Sequence, residues 1–280
     1  MYSRAEGTFT GYKDIRLFYQ RWSPPHPVAN LIITHGHGEH SECYLRVVQA
    51  LEGQNISIFA WDWRGHGKSE GKRGFANDFS EYCYDFESFI SHLDKSNAFQ
   101  GKPVSLLAHS MGGLIQLQSI IAHPEWKFSC QVLSSPFLGL ALQVPLIKDL
   151  AAQALVHLMP QMTLPTGVIN QYLTRDPAIA QEFDQDILRH DKMSAGLYLS
   201  AIKTQEYVQS NVDKISLKTF LQISDGDQVA SSEKNKQFYS ALRCEKEMKI
   251  YPGYKHELYN DLDREVPLSD MSLFLEKNKI

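Results

Sequence analysis

An α/β fold is predicted, with a mostly parallel central sheet, flanking helices and one inserted helical cap. Three features of the 280-residue chain point to it. Short continuous apolar runs bounded by Gly, Asp or Ser recur along the sequence, the pattern of strands covered on both faces. Stretches with apolar residues at 3.6-residue spacing lie between them, and strands alternating with helices build parallel sheets. One interval, Ser135 to Phe220, is far longer than the dozen or so residues a strand-to-strand crossover needs.

Taken in order, the first elements are a strand pair, Arg4–Thr10 and Ile15–Trp22, in which Ile15, Leu17 and Tyr19 alternate toward one face. Pro24, Pro25 and Pro27 end that pairing, so antiparallel pairing is expected only at the N-terminal edge. The buried parallel strands then read as Asn30–Thr34, Ile56–Trp61, Val104–Ala108, Cys130–Leu133, Thr219–Ile223 and Met248–Tyr251. Helical spacing links Phe79, Tyr82, Phe86, Phe89, Ile90 and Leu93, then Phe238 and Leu242, then Leu268 to Leu275. Within the long interval, Leu140, Val144, Ile147, Ala151, Ala154, Leu155 and Leu158 recur at helical spacing, and Pro160 and Pro165 punctuate the turn that follows. A second helical pattern runs from Ala178 to about Val212, with no convincing strand in between. The expected organisation is a core of residues 1–135 and 213–280 with a cap of residues 136–212. An insertion at a strand's carboxyl end favours a lid whose inner apolar face lines a pocket over one that only packs on the core.

Composition excludes several functions. Twenty-eight basic and thirty-two acidic residues give a net charge of −4, which provides no basic field for nucleic acid or an anionic bilayer. With 43% of positions apolar, the chain is not a disordered one. Cys43, Cys83, Cys130 and Cys244 are too far apart for a zinc knuckle or a redox C-x-x-C, and read as free thiols of a reducing compartment. The first ten residues carry no apolar stretch, so no signal peptide is expected. The greasiest region, Phe137–Met159, is interrupted by Pro145, Lys148 and Asp149 and falls short of the roughly 18 apolar residues of a membrane span. A cytoplasmic protein is expected, with transient contact between its apolar cap and a membrane surface as a further expectation.

The chemistry sits at strand ends. The run Val104–Ala108 leads into His109-Ser110-Met111-Gly112-Gly113, and a helical stretch follows. A serine hydroxyl becomes a nucleophile only when exposed, oriented and deprotonated by a neighbour. A sharp strand-to-helix turn supplies the exposure and tolerates only small residues two before and two after, here Ala108 and Gly112. Thr34-His35-Gly36-His37-Gly38 follows an early strand, and its glycines let backbone N–H groups approach a developing oxyanion; the donors would be those of His37 and Met111. Asp227 then follows the Thr219–Ile223 strand, and His256 follows Met248–Tyr251, giving the chain order Ser, Asp, His. Asp225 competes for the acid role, but Asp225-Gly226 has the composition of a turn, which favours Asp227. His66, Asp62 and Ser69 read as turn or cap groups of the loop after Ile56–Trp61, with His66 toward the rear of the pocket.

The set HGHGEH (35–40), GHGKSEG (65–71), AHSMGG (108–113), DQV (227–229) and YKHEL (254–258) resembles the monoacylglycerol lipase and lysophospholipase branch of the α/β-hydrolases, along nearly the whole chain. The resemblance implies a nucleophile at Ser110, a base at His256, and oxyanion donors at His37 and Met111. It also implies a serine carboxylic-ester hydrolase acting on a single acyl chain, without a cofactor. Two departures stand out. Ala108 replaces the usual Gly, and Gln222–Asp227 is one residue longer than the family's Q-G-x-x-D, so Asp225 and Asp227 both stay candidates. The apolar cap positions Leu140, Val144, Ile147, Leu155 and Leu158 suit the acyl chain. The family also includes small-substrate esterases and peptidases.

Two readings of other classes compete. His35-x-His37-x-Glu39-His40 resembles the H-x-H-x-D-H cluster of binuclear metallo-hydrolases, whose neutral imidazoles and carboxylate hold zinc. Against it, Glu39 is longer than the expected Asp, and no later His/Asp set completes a site. A non-catalytic hydrolase-like binding protein is the other, since fold alone guarantees no turnover.

Overall fold

The computed structural model describes residues 2–141, 156 and 158–279. An eight-stranded sheet runs in the order β1-β2-β4-β3-β5-β6-β9-β10. Its strands are β1 (Ser3–Thr10), β2 (Arg16–Ser23), β3 (Ala29–Thr34), β4 (Ile56–Asp62), β5 (Val104–His109), β6 (Gln131–Ser134), β9 (Thr219–Ser224) and β10 (Lys246–Tyr251). β2 pairs antiparallel with both β1 and β4, and every pair from β4 to β10 is parallel. The antiparallel part is thus confined to the N-terminal edge, as expected.

Burial on both faces explains the continuous apolar runs. Along β3, Leu31 and Ile33 join one cluster, with Val47 and Val48 of α1 (Leu45–Ala50) and Met271 and Phe274 of α8 (Glu265–Asn278). Ile32 points the other way, into a cluster with Phe86 and Phe89 of α2 (Ser80–Lys95) and Leu114 and Ile115 of α3 (Met111–Ala122). The same alternation separates Leu107 from Leu106 and Ala108 in β5, and Phe220 from Leu221 and Ile223 in β9. β10 differs from expectation. It is an edge strand of the sheet, and its Ile250 is 38% exposed.

Between β6 and β9 the chain makes two short strands, β7 (Thr163–Pro165) and β8 (Lys192–Ser194), paired antiparallel. At three residues each they are too short to leave a period-two signal, so the expectation of a strand-free interval fails here. The helical pattern expected over 178–212 divides into α5 (Pro177–Gln185) and α6 (Ala195–Ser210), following the short α4 (Asn170–Leu173). The division has local causes. Asp176 caps α5 through the Ala178 N–H, and Ser194 starts a new helix by accepting from the Leu197 N–H. Leu197, Ala201 and Val208 of α6 belong to the same apolar cluster as α2 and α3, so this helix of the insertion packs on the core. The last helix besides α8 is α7 (Ser232–Ala241).

Candidate active site

Ser110 occupies the turn between β5 and α3 with φ 51° and ψ −122°, a backbone conformation that costs a non-glycine residue about 1–3 kcal/mol. Its neighbours hold it there. The Ser110 N–H donates to the Ser134 carbonyl (3.0 Å), and the Ser110 carbonyl accepts from the N–H groups of Gly113 and Phe137 (3.0 Å each). Glycine at 112 is required by close approach. A Cβ there would lie 2.3 Å from the His35 carbonyl oxygen and 2.4 Å from that of Thr34. The turn therefore seats directly against the end of β3.

His256 and Asp227 meet it from two other strand ends. His256 Nε2 lies 2.8 Å from Ser110 Oγ, and His256 Nδ1 lies 2.7 Å from Asp227 Oδ2. Both side chains of the His256–Asp227 pair are almost wholly buried, 3% and 2% exposed. Because a carboxylate only accepts, the ring proton sits on Nδ1 and Nε2 turns its lone pair to the serine hydroxyl. Asp227 Oδ1 is held in turn by the N–H groups of Val229 (2.8 Å) and Ala230 (3.0 Å). Burial disfavours the imidazolium of His256, but the adjacent Asp227 charge outweighs it and raises the ring's pKa above the ordinary 6.5. Asp225 faces elsewhere, accepting the Gly253 N–H at 2.6 Å as a turn group.

The 35–40 loop lies beside Ser110. A Cβ on Gly36 would come within 3.3 Å of Ser110 Cβ and 2.8 Å of His109 Cδ2. Met111 opens α3, so its N–H has no acceptor within the helix. Gly36 N–H donates to Glu39 Oε2 (2.7 Å), which also accepts from the Tyr44 hydroxyl (2.9 Å). Gly38 needs its positive φ of 77°, since the His190 backbone closes on it and the His190 N–H donates to the Gly38 carbonyl (3.1 Å).

The insertion contributes residues the sequence reading did not single out. Arg189 (side chain 10% exposed) bonds Glu257 Oε1, places its Nη1 3.9 Å from Glu39 Oε1, and lies over the Phe183 ring. It links the residue next to His256 with the loop next to Ser110. Burial raises the Glu257 pKa in spite of Arg189. The His256 and Glu257 N–H groups donate to the carbonyls of Tyr172 (3.3 Å) and Leu173 (2.9 Å) of α4, which ties the histidine loop to the insertion. His109 was also missed; it donates from Nδ1 to the Ser134 carbonyl (3.0 Å), packs 4.7 Å from the His256 ring, and burial lowers its pKa to about 3. Adjacency to Ser110 was its one sequence signal.

Of the cap positions expected to meet an acyl chain, Leu140 is half-buried against the core and bridges Ala230, and Leu158 is 78% exposed. Val144, Ile147 and Leu155 lie outside the described residues. An open groove of about 580 Å³ between α1 and α8, lined by Arg46, Gln49, Arg264 and Leu268, contains none of the triad. Asp62 and Ser69 serve as turn groups: Asp62 accepts from the N–H groups of Ser41 (2.7 Å) and Lys68 (2.8 Å), and Ser69 Oγ accepts from Phe18 (2.8 Å).

The four side chains of the metallo-hydrolase motif do not converge among the described residues. His35 Nδ1 turns to the Gly36 carbonyl (2.7 Å), Glu39 to Gly36 and Tyr44, and His40 Nε2 to Asp186 (2.7 Å). Each side chain instead follows its own local partner. Two other groups have metal-ligand spacing: His37, His66 and His190, and His40, Cys43 and Asp186.

A family model described as "Serine aminopeptidase, S33" matches residues 25–263. The monoacylglycerol lipase of Mycolicibacterium smegmatis is 26% identical over 276 residues, covering 98% of this chain and 97% of that protein. The monoglyceride lipase of Homo sapiens is 28% identical over 266 residues, 94% of this chain and 85% of that protein. Among solved structures, the Paleococcus ferrophilus monoacylglycerol lipase superimposes with a TM-score of 0.82 at 26% identity, covering 99% of each chain. With most of its length matched and its sheet order arranged as above, the chain belongs to the S33 serine aminopeptidase family and has the α/β-hydrolase fold.

Proposed function

We propose that the protein is a serine carboxylic-ester hydrolase that removes the single acyl chain of a monoacylglycerol or lysophospholipid. The observation that carries this reading is the unbroken line Ser110 Oγ, His256 Nε2, His256 Nδ1, Asp227 Oδ2, with contacts of 2.8 and 2.7 Å. Ser110 Oγ attacks the ester carbonyl carbon while its proton passes to His256 Nε2. The N–H groups of His37 and Met111 hold the oxyanion, an arrangement worth roughly 10²–10³ in turnover per donor. Collapse expels the alcohol, which leaves with the proton from His256, and the acyl group remains on Ser110. Water then gives a proton to His256 and attacks the acyl carbonyl; the acyl–Oγ bond breaks, His256 returns the proton to Ser110 Oγ and the acid leaves, while Asp227 keeps the imidazole oriented and stabilises its charged form. The lipid substrate is supported by the names of the relatives, with Leu140, Val144, Ile147, Leu155 and Leu158 proposed as acyl contacts.

The insertion also suits contact with a lipid surface. Leu158, Met159, Met162, Leu164 and Ile169 are each between 39% and 78% exposed within a dozen residues, an apolar stretch that water covers poorly. No helix among the described residues is long and apolar enough to cross a membrane, so such contact would be peripheral. Flotation with phosphatidylcholine liposomes should carry the protein, and a Leu158→Asp/Met159→Asp variant should stay behind; equal flotation of the two refutes the surface.

Profiling kcat/KM over acyl-chain length and headgroup tests the substrate, with a nitrophenyl ester as the general probe. A fluorophosphonate should label Ser110 and stop turnover, a chelator should not, and Ser110→Ala should remove activity with the fold intact. Near-wild-type turnover by Ser110→Ala overturns the assignment. Faster hydrolysis of aminoacyl arylamides than of acyl esters would move the substrate class to peptides.

A further inference from the structure

Three histidines from separate segments meet beside the proposed oxyanion loop: His37 of the 35–40 loop, His66 of the loop after β4, and His190 of the insertion. Each offers a ring nitrogen within 4.8 Å of the other two. His37 Nδ1, His66 Nε2 and His190 Nε2 are all buried without a hydrogen-bond partner. Unpaired buried polar atoms are rare, and three within one cluster of rings call for an occupant.

The opposite nitrogens are engaged as in metal sites, where a ligating histidine gives its other N–H to a carbonyl. His37 Nε2 lies 2.9 Å from the Lys192 carbonyl and His66 Nδ1 lies 3.1 Å from that of Arg64. In both rings the carbonyl takes the N–H, which leaves the orphan nitrogen with its lone pair. His190 differs. Its Nδ1 accepts the Lys192 N–H (3.2 Å), so ligation through Nε2 moves that ring's proton to Nδ1 at the expense of one long bond. Neutral imidazoles without a carboxylate suit a borderline divalent ion such as Zn²⁺, not Mg²⁺ or Ca²⁺.

We propose that His37, His66 and His190 form a Zn²⁺ site that clamps the insertion onto the oxyanion loop. Tetrahedral ligands about 2.1 Å from zinc lie roughly 3.4 Å apart, so the rings need to close by no more than about 1.4 Å. His37 and His190 are only partly buried and face the surface, which gives the ion a way in. The second group of metal-like spacing lacks these features. In that group His40 and Asp186 already bond each other, which leaves no unpaired nitrogen there.

The test is equilibrium dialysis of the tag-free full chain against Zn²⁺ alone, with Co²⁺ absorption as a geometric probe and thermal unfolding as a second readout. Wild type should bind one equivalent, show tetrahedral Co²⁺ bands and unfold at higher temperature with Zn²⁺ present. His190→Ala should keep its nitrophenyl-esterase activity in metal-free buffer yet lose at least about tenfold in Zn²⁺ affinity. His66→Asn should lose it too, and guards against a folding defect in the first variant. Substoichiometric binding by wild type, affinity unchanged in both variants, or no rise in unfolding temperature overturns the site and leaves an ordered water as its occupant.

Discussion

Replacing Arg189 by Met tests whether the insertion holds the candidate site together through charge. Methionine keeps the apolar contact with Phe183 but leaves Glu257 and Glu39 without their shared cation, each side chain 3% exposed. Removing one partner of a buried ion pair costs about 3–5 kcal/mol. Protonation limits that cost. A carboxyl with an ordinary pKa of 4.5 takes up a proton in the folded state at about 1.4 kcal/mol per pH unit, which sets a ceiling near 4 kcal/mol at pH 7.5. Glu257 is already raised with Arg189 present, so the deficit should fall below that ceiling. The direction with pH follows from the same linkage. Above 4.5 the folded variant holds a proton on Glu257 that the unfolded chain has released, so stability is lost as pH rises and regained as it falls. Urea unfolding at pH 5.5, 6.5 and 7.5 should show the variant's deficit shrinking by about 1.4 kcal/mol per unit toward the acid side. Adding Glu257→Gln to Arg189→Met should restore much of the stability and flatten that slope. A deficit below about 1 kcal/mol at pH 7.5, the range of a solvent-exposed pair, or one independent of pH, refutes the argument.

Asp227→Asn should lower kcat by about 10⁴, the cost of presenting the wrong imidazole tautomer, whereas Asp225→Asn should change it less than tenfold; equal losses in nitrophenyl-ester assays would reject Asp227 as the orienting acid. Gly112→Ala drives a methyl into the Thr34 and His35 carbonyls and should cost about 3 kcal/mol or more in thermal unfolding. Gly196→Ala in α6, whose added Cβ would meet, among the described residues, only Val156 at 3.9 Å, should gain about 0.5–1 kcal/mol; a reversed order would mean the turn packs differently. The kcat/KM profile should fall on acidification with an apparent pKa above 6.5, because the raised His256 must be neutral to accept the serine proton. Asp227→Asn should move that limb to lower pH, and an acid limb below 6.5 in the wild type would contradict the ion pair.

The sheet was legible because two-sided burial writes itself into sequence. Leu31, Ile32 and Ile33 are consecutive apolar residues only because helices cover both faces of β3. What escaped had no such cause. β10 shares the apolar look of the inner strands at Met248, Ile250 and Tyr251, yet nothing pairs beyond it. β7 and β8 are held by the antiparallel register of Thr163 with Ser194, a contact between residues thirty-one positions apart that no local window contains. The break between α5 and α6 depends on single capping side chains, Asp176 and Ser194, which weigh little against the apolar spacing on either side.

The candidate site divides along the same line. Ser110, Asp227 and His256 each follow a parallel strand, where side chains from different segments are brought to one sheet edge, so strand ends mark them in the sequence. The groups that hold these loops have no such marker. Arg189 reaches Glu39 and Glu257 across 150 and 68 residues, and His190 reaches His37 and His66 from the same turn of the insertion. The histidine-rich run at 35–40 suggested a metal through its own spacing, but here its side chains take separate local partners. His37 instead shares a cluster with His66 and His190, which come from elsewhere in the chain. Chemistry local to a turn can be read from the turn itself. The contacts that join the insertion to the proposed oxyanion loop and to the His256 loop are instead a property of the tertiary structure: Arg189 bonds Glu257, and the N–H of neighbouring His190 donates to the Gly38 carbonyl.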